Sequence, residues 1–508
     1  MEPATGSSRK YFAFNTLLSV ATWCFPLLLA FIATPILVRG LGNENYGIFA
    51  IALGFVSYAF SSGIGRISAK YIPEFRSAGE PEKISEVVST SFVLTLAVGT
   101  LQAVTLAVAA PYIVSDILRV SPESQSNVVN ALYLASVGGF FLMLGYVFQF
   151  VLQGLHRFDK LALISNLSAI LLNFGNIVIV LSGYGVSSLL LWNAIVFGLI
   201  AFLYYLGSRR LVPELRFSFK FSRNTFVSMA KYASSIVLYQ TLSSVLFIFE
   251  RTWIARHFGT ETLTFYIIPL MLAFYMHGLL ASVAQVLFPV VNELLNDRER
   301  IVGVYKKATK MVVVIIVFIV GSYIASGKEF LHLWINEEFA GNSYYLLIIL
   351  SSAMGVNAIG MVAWQLAEAF RRPGLNVLST GLWVATSIPL MIILADRWQS
   401  EGVALARLIG VLTTIPIVFY IEKRFLGSFF WRFWLGIGFQ VGIAAIALIL
   451  IETVIYKYAE ISWAILFATS ALGSLVFGGI LLLTGYFSKD ELHAARGMLL
   501  RITGTEKP

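Results

Sequence analysis

The sequence predicts an all-α polytopic membrane protein with fourteen transmembrane helices: two parallel six-helix lobes around a central cavity, plus a terminal helix pair. Three observations predict it: a composition too apolar for a water-facing surface, apolar runs of spanning length, and an internal repeat at an offset near 217 residues.

Of the 508 residues, 58% are hydrophobic and 12% are charged, with a mean hydropathy of +0.81. Soluble domains carry roughly 25% charged residues. Polar side chains are therefore too few here to cover a core of this size, and lipid is the solvent that stabilises such a chain. The net charge of +9 forms no single basic face. Lys and Arg lie in short loops between apolar runs, which argues for membrane topology and against a nucleic-acid partner. Cys24 is the sole cysteine, so no intramolecular disulfide can form. No Cys/His spacing suits a metal, and the sequence requires neither a metal nor a cofactor.

A helix rising 1.5 Å per residue crosses roughly 30 Å of hydrocarbon in about 20 residues. On that measure the first lobe holds spans at 12–38, 47–65, 87–110, 129–153, 161–182 and 186–206. The second holds 225–249, 263–287, 308–325, 344–369, 376–395 and 403–421, and the terminal pair is 433–456 and 463–486. The first run, Tyr11 to Val38 after Arg9 and Lys10, is longer than the roughly 7–15 apolar residues of a secretory signal, so it is expected to stay as a span. The domains are thus an N-terminal lobe (1–206), a basic cytoplasmic linker (207–224), a C-terminal lobe (225–425), the terminal pair (426–487) and a cytoplasmic tail (488–508).

Orientation follows from Lys and Arg, which concentrate in cytoplasmic loops. With the N-terminus inside, 28 of the 36 lie inside. Arg39, Arg119, Arg251, Arg256, Lys328, Arg397, Arg407 and Lys457 fall outside. Both termini are therefore expected in the cytoplasm. Segment 326–342 reads as an outer loop, and Trp253, Trp334, Trp434 and Trp463 read as an interfacial belt.

The repeat pairs LVRGLGNENYGIFAI from Leu37 with IARHFGTETLTFYII from Ile254, so that Gly42 meets Gly259. QGLHRFDK from Gln153 pairs with EAFRRPGL from Glu368, and Gly185-Val186 pairs with Gly402-Val403. Six spans per copy make the copies parallel, an arrangement that places a cavity between lobes and permits alternating access.

These segments, with Gly65-Arg66, KYIPEF from Lys70, the helix start at Lys231-Tyr232 and LFPVVNELLND from Leu287, resemble the Wzx-type polysaccharide flippases of the multidrug/oligosaccharidyl-lipid/polysaccharide superfamily. The resemblance covers roughly residues 12–425. It implies transfer of a polyprenyl-diphosphate-linked oligosaccharide from the cytoplasmic to the outer leaflet of the cell (inner) membrane, among membrane lipids, with polysaccharide polymerase machinery as a partner. Related lipid II flippases carry charges in the first helix, whereas Tyr11 to Val38 has none, which argues against a peptidoglycan precursor as cargo.

An ionisable side chain deep in a span needs a partner, water or a function. Arg66, Lys70 and Glu74 recur every four residues and share a helix face. They suit either a cationic wall for a diphosphate or a cytoplasmic anchor with an internal Lys70–Glu74 pair. Gln240, Ser244 and Arg251 form a stripe with Lys231 at its cytoplasmic end, and Glu250 can neutralise Arg251. His277 suits a hydrogen bond to a neighbouring helix or a proton-coupling role. Glu250 and Glu368 are the carboxylates that such coupling would use. Asn357, Met361, Trp364, Gln365 and Glu368 line one face of a helix, where amides and aromatic rings can meet sugars. The substrate-binding set is therefore Arg66, Lys70, Lys231, Arg251, Gln240 and Gln365.

Two other readings stay open. A drug/cation antiporter of the MATE type needs buried carboxylates, and those here stand near span ends. A polytopic polymerase or glycosyltransferase needs a carboxylate base and a large extramembrane loop. The sequence offers no carboxylate cluster and no Gly-rich phosphate loop, so no catalytic residue is assigned and the protein is not expected to be an enzyme.

Overall fold

The computed structural model describes residues 25–58, 64–120, 122–211, 221–285, 287–488 and 491. Expectations on the N-terminal tail, on 212–220 of the linker and on most of the C-terminal tail lie outside these residues. Every regular element among them is helical. In chain order these are α1 (Phe25–Leu41), α2 (Asn43–Tyr58), α3 (Ile64–Ser77), α4 (Pro81–Tyr112), α5 (Pro122–Gly154), α6 (Phe158–Leu181) and α7 (Val186–Leu211). There follow α8 (Arg223–Gln285), α9 (Leu287–Glu293), α10 (Arg298–Trp334), α11 (Glu337–Ala369), α12 (Gly374–Leu412), α13 (Ile415–Ile421), α14 (Trp431–Tyr458) and α15 (Trp463–Leu483).

Ten helical stretches among the described residues are long and apolar enough to cross a membrane. Their outward faces carry large apolar side chains: Val108, Phe439, Leu475 and Leu483 are 77, 70, 74 and 88% exposed. Apolar surface on this scale is stable only against lipid. The chain is a multi-pass membrane protein.

Two stretches, Val237–Ala281 and Gly374–Leu426, have 45 and 53 residues and as straight helices would run about 68 and 80 Å, more than twice the hydrocarbon depth. Both are broken. α8 turns at Gly259, whose φ of 87° is open to glycine at little cost, and α12 turns at Trp398 and Gln399. Just past the second break, a Cβ on Gly402 would stand 2.2 Å from the Leu394 carbonyl oxygen, so the chain doubles back tightly on itself.

The paired sequence segments fold alike locally. Gly42 and Gly259 take φ of 78° and 87°. His156 and Arg371, neither of them glycine, take 56° and 58°. Each closes its helix with the same bonds: Arg157 N–H donates to Leu152 O at 3.0 Å, and Arg372 N–H to Ala367 O at 2.7 Å. This 6→1 bond across a left-handed residue is the Schellman helix stop.

The chain forms two compact units, one drawn from Met1–Ile268 and Asn376–Ala406, the other from Pro269–Leu375 and Arg407–Pro508. In the first, α5 packs on α7 where Gly138 and Gly145 face Ala194 and Ala201, so small residues let the backbones close in. Phe148, Leu152, Ile164, Val196, Ile200 and Tyr204 fill the core beside them. α2 meets α8 so closely that a Cβ on Gly47 would fall 1.9 Å from the Thr260 carbonyl oxygen.

In the second unit α10 packs on α11, α14 and α15 over Val313, Val441, Ala444, Leu448 and Phe477. The expected outer loop at 326–342 is helical instead. α10 runs to Trp334, and only Ile335 and Asn336 precede α11, with the Asn336 side chain accepting from Phe339 N–H at 2.8 Å. Polar residues that water would solvate in a loop are here the ends of helices longer than the bilayer is deep. The tryptophan belt is also narrower than expected. Trp334 is buried and stacks on Phe330, and the Trp434 indole N–H donates to Glu422 at 2.9 Å.

Candidate functional site

In the first unit the polar stripe lies on α8, before the Gly259 break. Gln240, Ser244 and Arg251 recur at four and seven residues and share the helix face that the sequence stripe predicted. Ser244 and Arg251 are buried. Gln240 is half-buried, with no hydrogen-bond partner for its Oε1 among the described residues. The Arg251 guanidinium donates from Nη1 to Phe247 O at 3.2 Å. It crosses α2 at Gly54, where a Cβ would stand 2.9 Å from Arg251 Cδ. Arg251, Ile248 and Thr252 from α8 and Ile51, Gly54 and Phe55 from α2 line a shallow crevice between the two helices. Glu250 is fully buried and accepts from the Tyr266 hydroxyl at 3.2 Å. Since Tyr266 lies beyond the break, this bond ties the two halves of the bent helix together.

Arg66 and Lys70 stand on α3 and Lys231 near the start of α8. Their side chains lie outside the described residues. The helices that carry them do meet: Tyr71 and Phe75 of α3 pack with Val87 of α4 and Val237 of α8. Nearby, the Thr225 hydroxyl donates to Glu86 at 2.6 Å, which fixes the start of α8 to α4. Glu74 is exposed.

In the second unit, His277 on α8 and Asn357 on α11 come together, with Nε2 2.8 Å from Oδ1. Gln365 and Trp364 are half-buried two turns along α11, and Glu368 stands at its end, where its carbonyl accepts from Arg371 N–H.

Arg407 and Glu422 are buried charges that the sequence reading does not single out. Arg407, counted among the outer cations, is fully buried, and its Nη1 lies 3.6 Å from Met354 Sδ, one turn before Asn357. Arg251 was counted outside as well and is likewise buried within its helix. Glu422 is fully buried and accepts from the Tyr305 hydroxyl at 2.8 Å, from Trp434 Nε1 and from Phe430 N–H at 3.3 Å. It joins α10, the turn after α13 and the start of α14. Glu422 is followed at once by Lys423 and Arg424 and reads as a loop charge, but for Arg407 a lone charge inside an apolar run was the available signal. Counting loop charges for orientation passed over it.

The profile of the polysaccharide biosynthesis proteins matches residues 36–341. The chain belongs to that family. Among curated proteins it is similar to one from Shigella flexneri named "Putative O-antigen transporter", at 21% identity over 414 residues, covering 81% of this chain and 97% of the relative. Among solved structures it is similar to the lipid II flippase MurJ in an inward closed conformation, with a TM-score of 0.71 at 15% identity, covering 92% of this chain and 98% of that one. It is also similar to an inward-facing MATE multidrug resistance transporter of the MOP superfamily, with a TM-score of 0.67 at 16% identity, covering 80% and 98%. At these identities the likeness establishes the fold, and this member of the polysaccharide biosynthesis proteins has the fold those transporters share.

Proposed function

We propose that the protein flips a polyprenyl-diphosphate-linked oligosaccharide from the cytoplasmic to the outer leaflet of the inner membrane, by alternating access between lobes 1–206 and 225–425. The observation that carries this reading is the near end-to-end match to a relative named as an O-antigen transporter, within a family of polysaccharide biosynthesis proteins. The breaks in α8 and α12 raise the ten long stretches to twelve crossings, and the shorter helices α1 and α2 would add two more, which supports a count of fourteen spans. An even count puts both termini on one side of the membrane, and the Lys and Arg distribution makes that side the cytoplasm. The matched turns at Gly42/Gly259 and His156/Arg371 support two copies of one six-span unit.

In this reading Arg66, Lys70 and Lys231 receive the diphosphate at the cytoplasmic side, on helices that converge at Val87. Arg251, Gln240 and Gln365 line its path. Glu250, Glu368 and His277 are the groups available for proton coupling. A drug/cation antiporter is the second reading, favoured by one observation: Glu250 is a fully buried carboxylate.

Leaflet exchange of labelled lipid-linked oligosaccharide in proteoliposomes tests the proposal. Exchange above empty vesicles is expected, with Arg66→Ala and Lys231→Ala slowing it at unchanged membrane abundance. Proton- or sodium-driven efflux of cationic drugs without lipid exchange would establish the antiporter instead.

A further inference from the structure

We propose that Glu452, in the terminal helix pair, is a proton-binding site, and that its proton holds α14 and α15 together in the membrane. The site is independent of the cargo path proposed above.

Glu452 lies within α14, six residues from its C-terminal end, and is fully buried. Neither carboxyl oxygen has a hydrogen-bond partner among the described residues. An unpaired carboxylate away from water is strongly unfavourable, and a group so placed takes a proton rather than keep its charge. α15 presents Gly473 to it: a Cβ there would stand 2.3 Å from Glu452 Oε1. The carboxyl sits in a notch that only glycine leaves open. So close an approach leaves room for a proton and none for a hydrated cation.

A neighbouring hydroxyl points the same way. Ser326 of α10 faces the carboxyl, but its hydrogen is given to Ser322 O at 2.8 Å. The Ser326 oxygen therefore turns a lone pair, not a hydrogen, toward the carboxyl, which disfavours a carboxylate there. Tyr456, one turn along α14, has no hydrogen-bond partner among the described residues. The titratable groups facing Glu452 are Glu329 on α10 and Tyr456 on its own helix; α15 carries none.

Since α10, α14 and α15 all pack together here, deprotonation puts an unpaired charge at their junction and loosens it. Stability is full while the proton is bound and falls as pH rises and removes it.

Infrared spectroscopy of the full-length protein in lipid nanodiscs tests this. A protonated-carboxyl stretch is expected at neutral pH, lost in Glu452→Gln and retained in Glu329→Gln. Raising the pH should remove the band and lower the thermal midpoint of the wild type, while Glu452→Gln, which mimics the neutral acid, keeps its midpoint throughout. Gly473→Ala, which drives a methyl into Oε1, should shift the band, so the site stays testable even where Glu452→Gln does not fold. A wild type without the band at neutral pH, or a band unchanged in both Glu452→Gln and Gly473→Ala, overturns the proposal. So does stabilisation by sodium with no band present.

Discussion

His277 and Asn357 face each other across 2.8 Å, with the imidazole N–H donating to the amide oxygen. The bond joins α8, beyond its break, to α11. Interhelical hydrogen bonds in membranes are modest in strength, about 0.6 kcal/mol on average and up to about 1.7. His277→Ala and Asn357→Ala should each destabilise the protein, and the double variant should cost less than their sum by an amount in that range. A double-mutant cycle from unfolding in detergent measures it, and strictly additive losses would mean that the bond contributes nothing. If His277 also carries the coupling proton, His277→Gln keeps a donor yet flattens the pH profile of transport.

Glu422 makes a sharper case, because one carboxylate satisfies three donors, one from α10 and two from the start of α14. Replacing it with Ala leaves the Tyr305 hydroxyl, the Trp434 indole N–H and the Phe430 N–H short of an acceptor. Each buried donor so stranded costs about 1–3 kcal/mol. Glu422→Ala should lower the thermal midpoint well beyond Tyr305→Phe, which removes one donor and leaves two bonds intact. Equal effects from the two variants would show that the carboxylate does not act as a hub.

Two glycines near the start of α2 separate close packing from backbone strain. At Gly47 a Cβ falls 1.9 Å from the Thr260 carbonyl oxygen, a backbone atom that cannot swing aside. At Gly42 nothing lies within 4 Å, and only the φ of 78° opposes a side chain. Gly42→Ala should cost about 1 kcal/mol of strain. Gly47→Ala should cost more, because α2 and α8 must separate. Fluorescence-detected thermostability of the two variants checks the order, and a milder effect at Gly47 would contradict the contact.

Most of the helical plan was legible in the sequence, because lipid imposes one simple rule: a spanning helix must be apolar for its length. The likeness of two helix ends was legible too, and His156 and Arg371 show why. Both occupy a left-handed helix stop, and the residues around the stop kept enough chemistry in QGLHRF and EAFRRP to align. Arg407 was counted among the outer cations for a physical reason. Positive-inside counting treats every cation as solvated at an interface, and says nothing of one held inside a helix bundle. Segment 326–342 was misread because hydropathy marks only the part of a helix that sits in hydrocarbon, while α10 and α11 continue beyond it. Which side chains face one another, as His277 and Asn357 do, depends on helix rotation, which one strand of text does not specify.

The C-terminal end of the described chain offers a prediction on pH. Beyond α15, the Tyr486 hydroxyl donates to Lys310 O at 2.8 Å, and Glu491 pairs with the Lys310 ammonium at 2.9 Å while accepting from Ser488 N–H. Burial alone would raise the Glu491 carboxyl. The Ser488 N–H and the Lys310 ammonium outweigh it and hold the carboxyl below the ordinary glutamate value. A depressed acid contributes stability that is present above its unfolded value and lost as pH falls through the folded one. Acidification through the lower carboxylate range should therefore release this segment from α10, and raised salt should do so in part, since the pair is partly exposed and screened. Hydrogen exchange at Ser488 and Glu491 reads the release directly. Glu491→Gln should be loosened at every pH and lose the acid transition, whereas a transition that survives in that variant would assign it to another group.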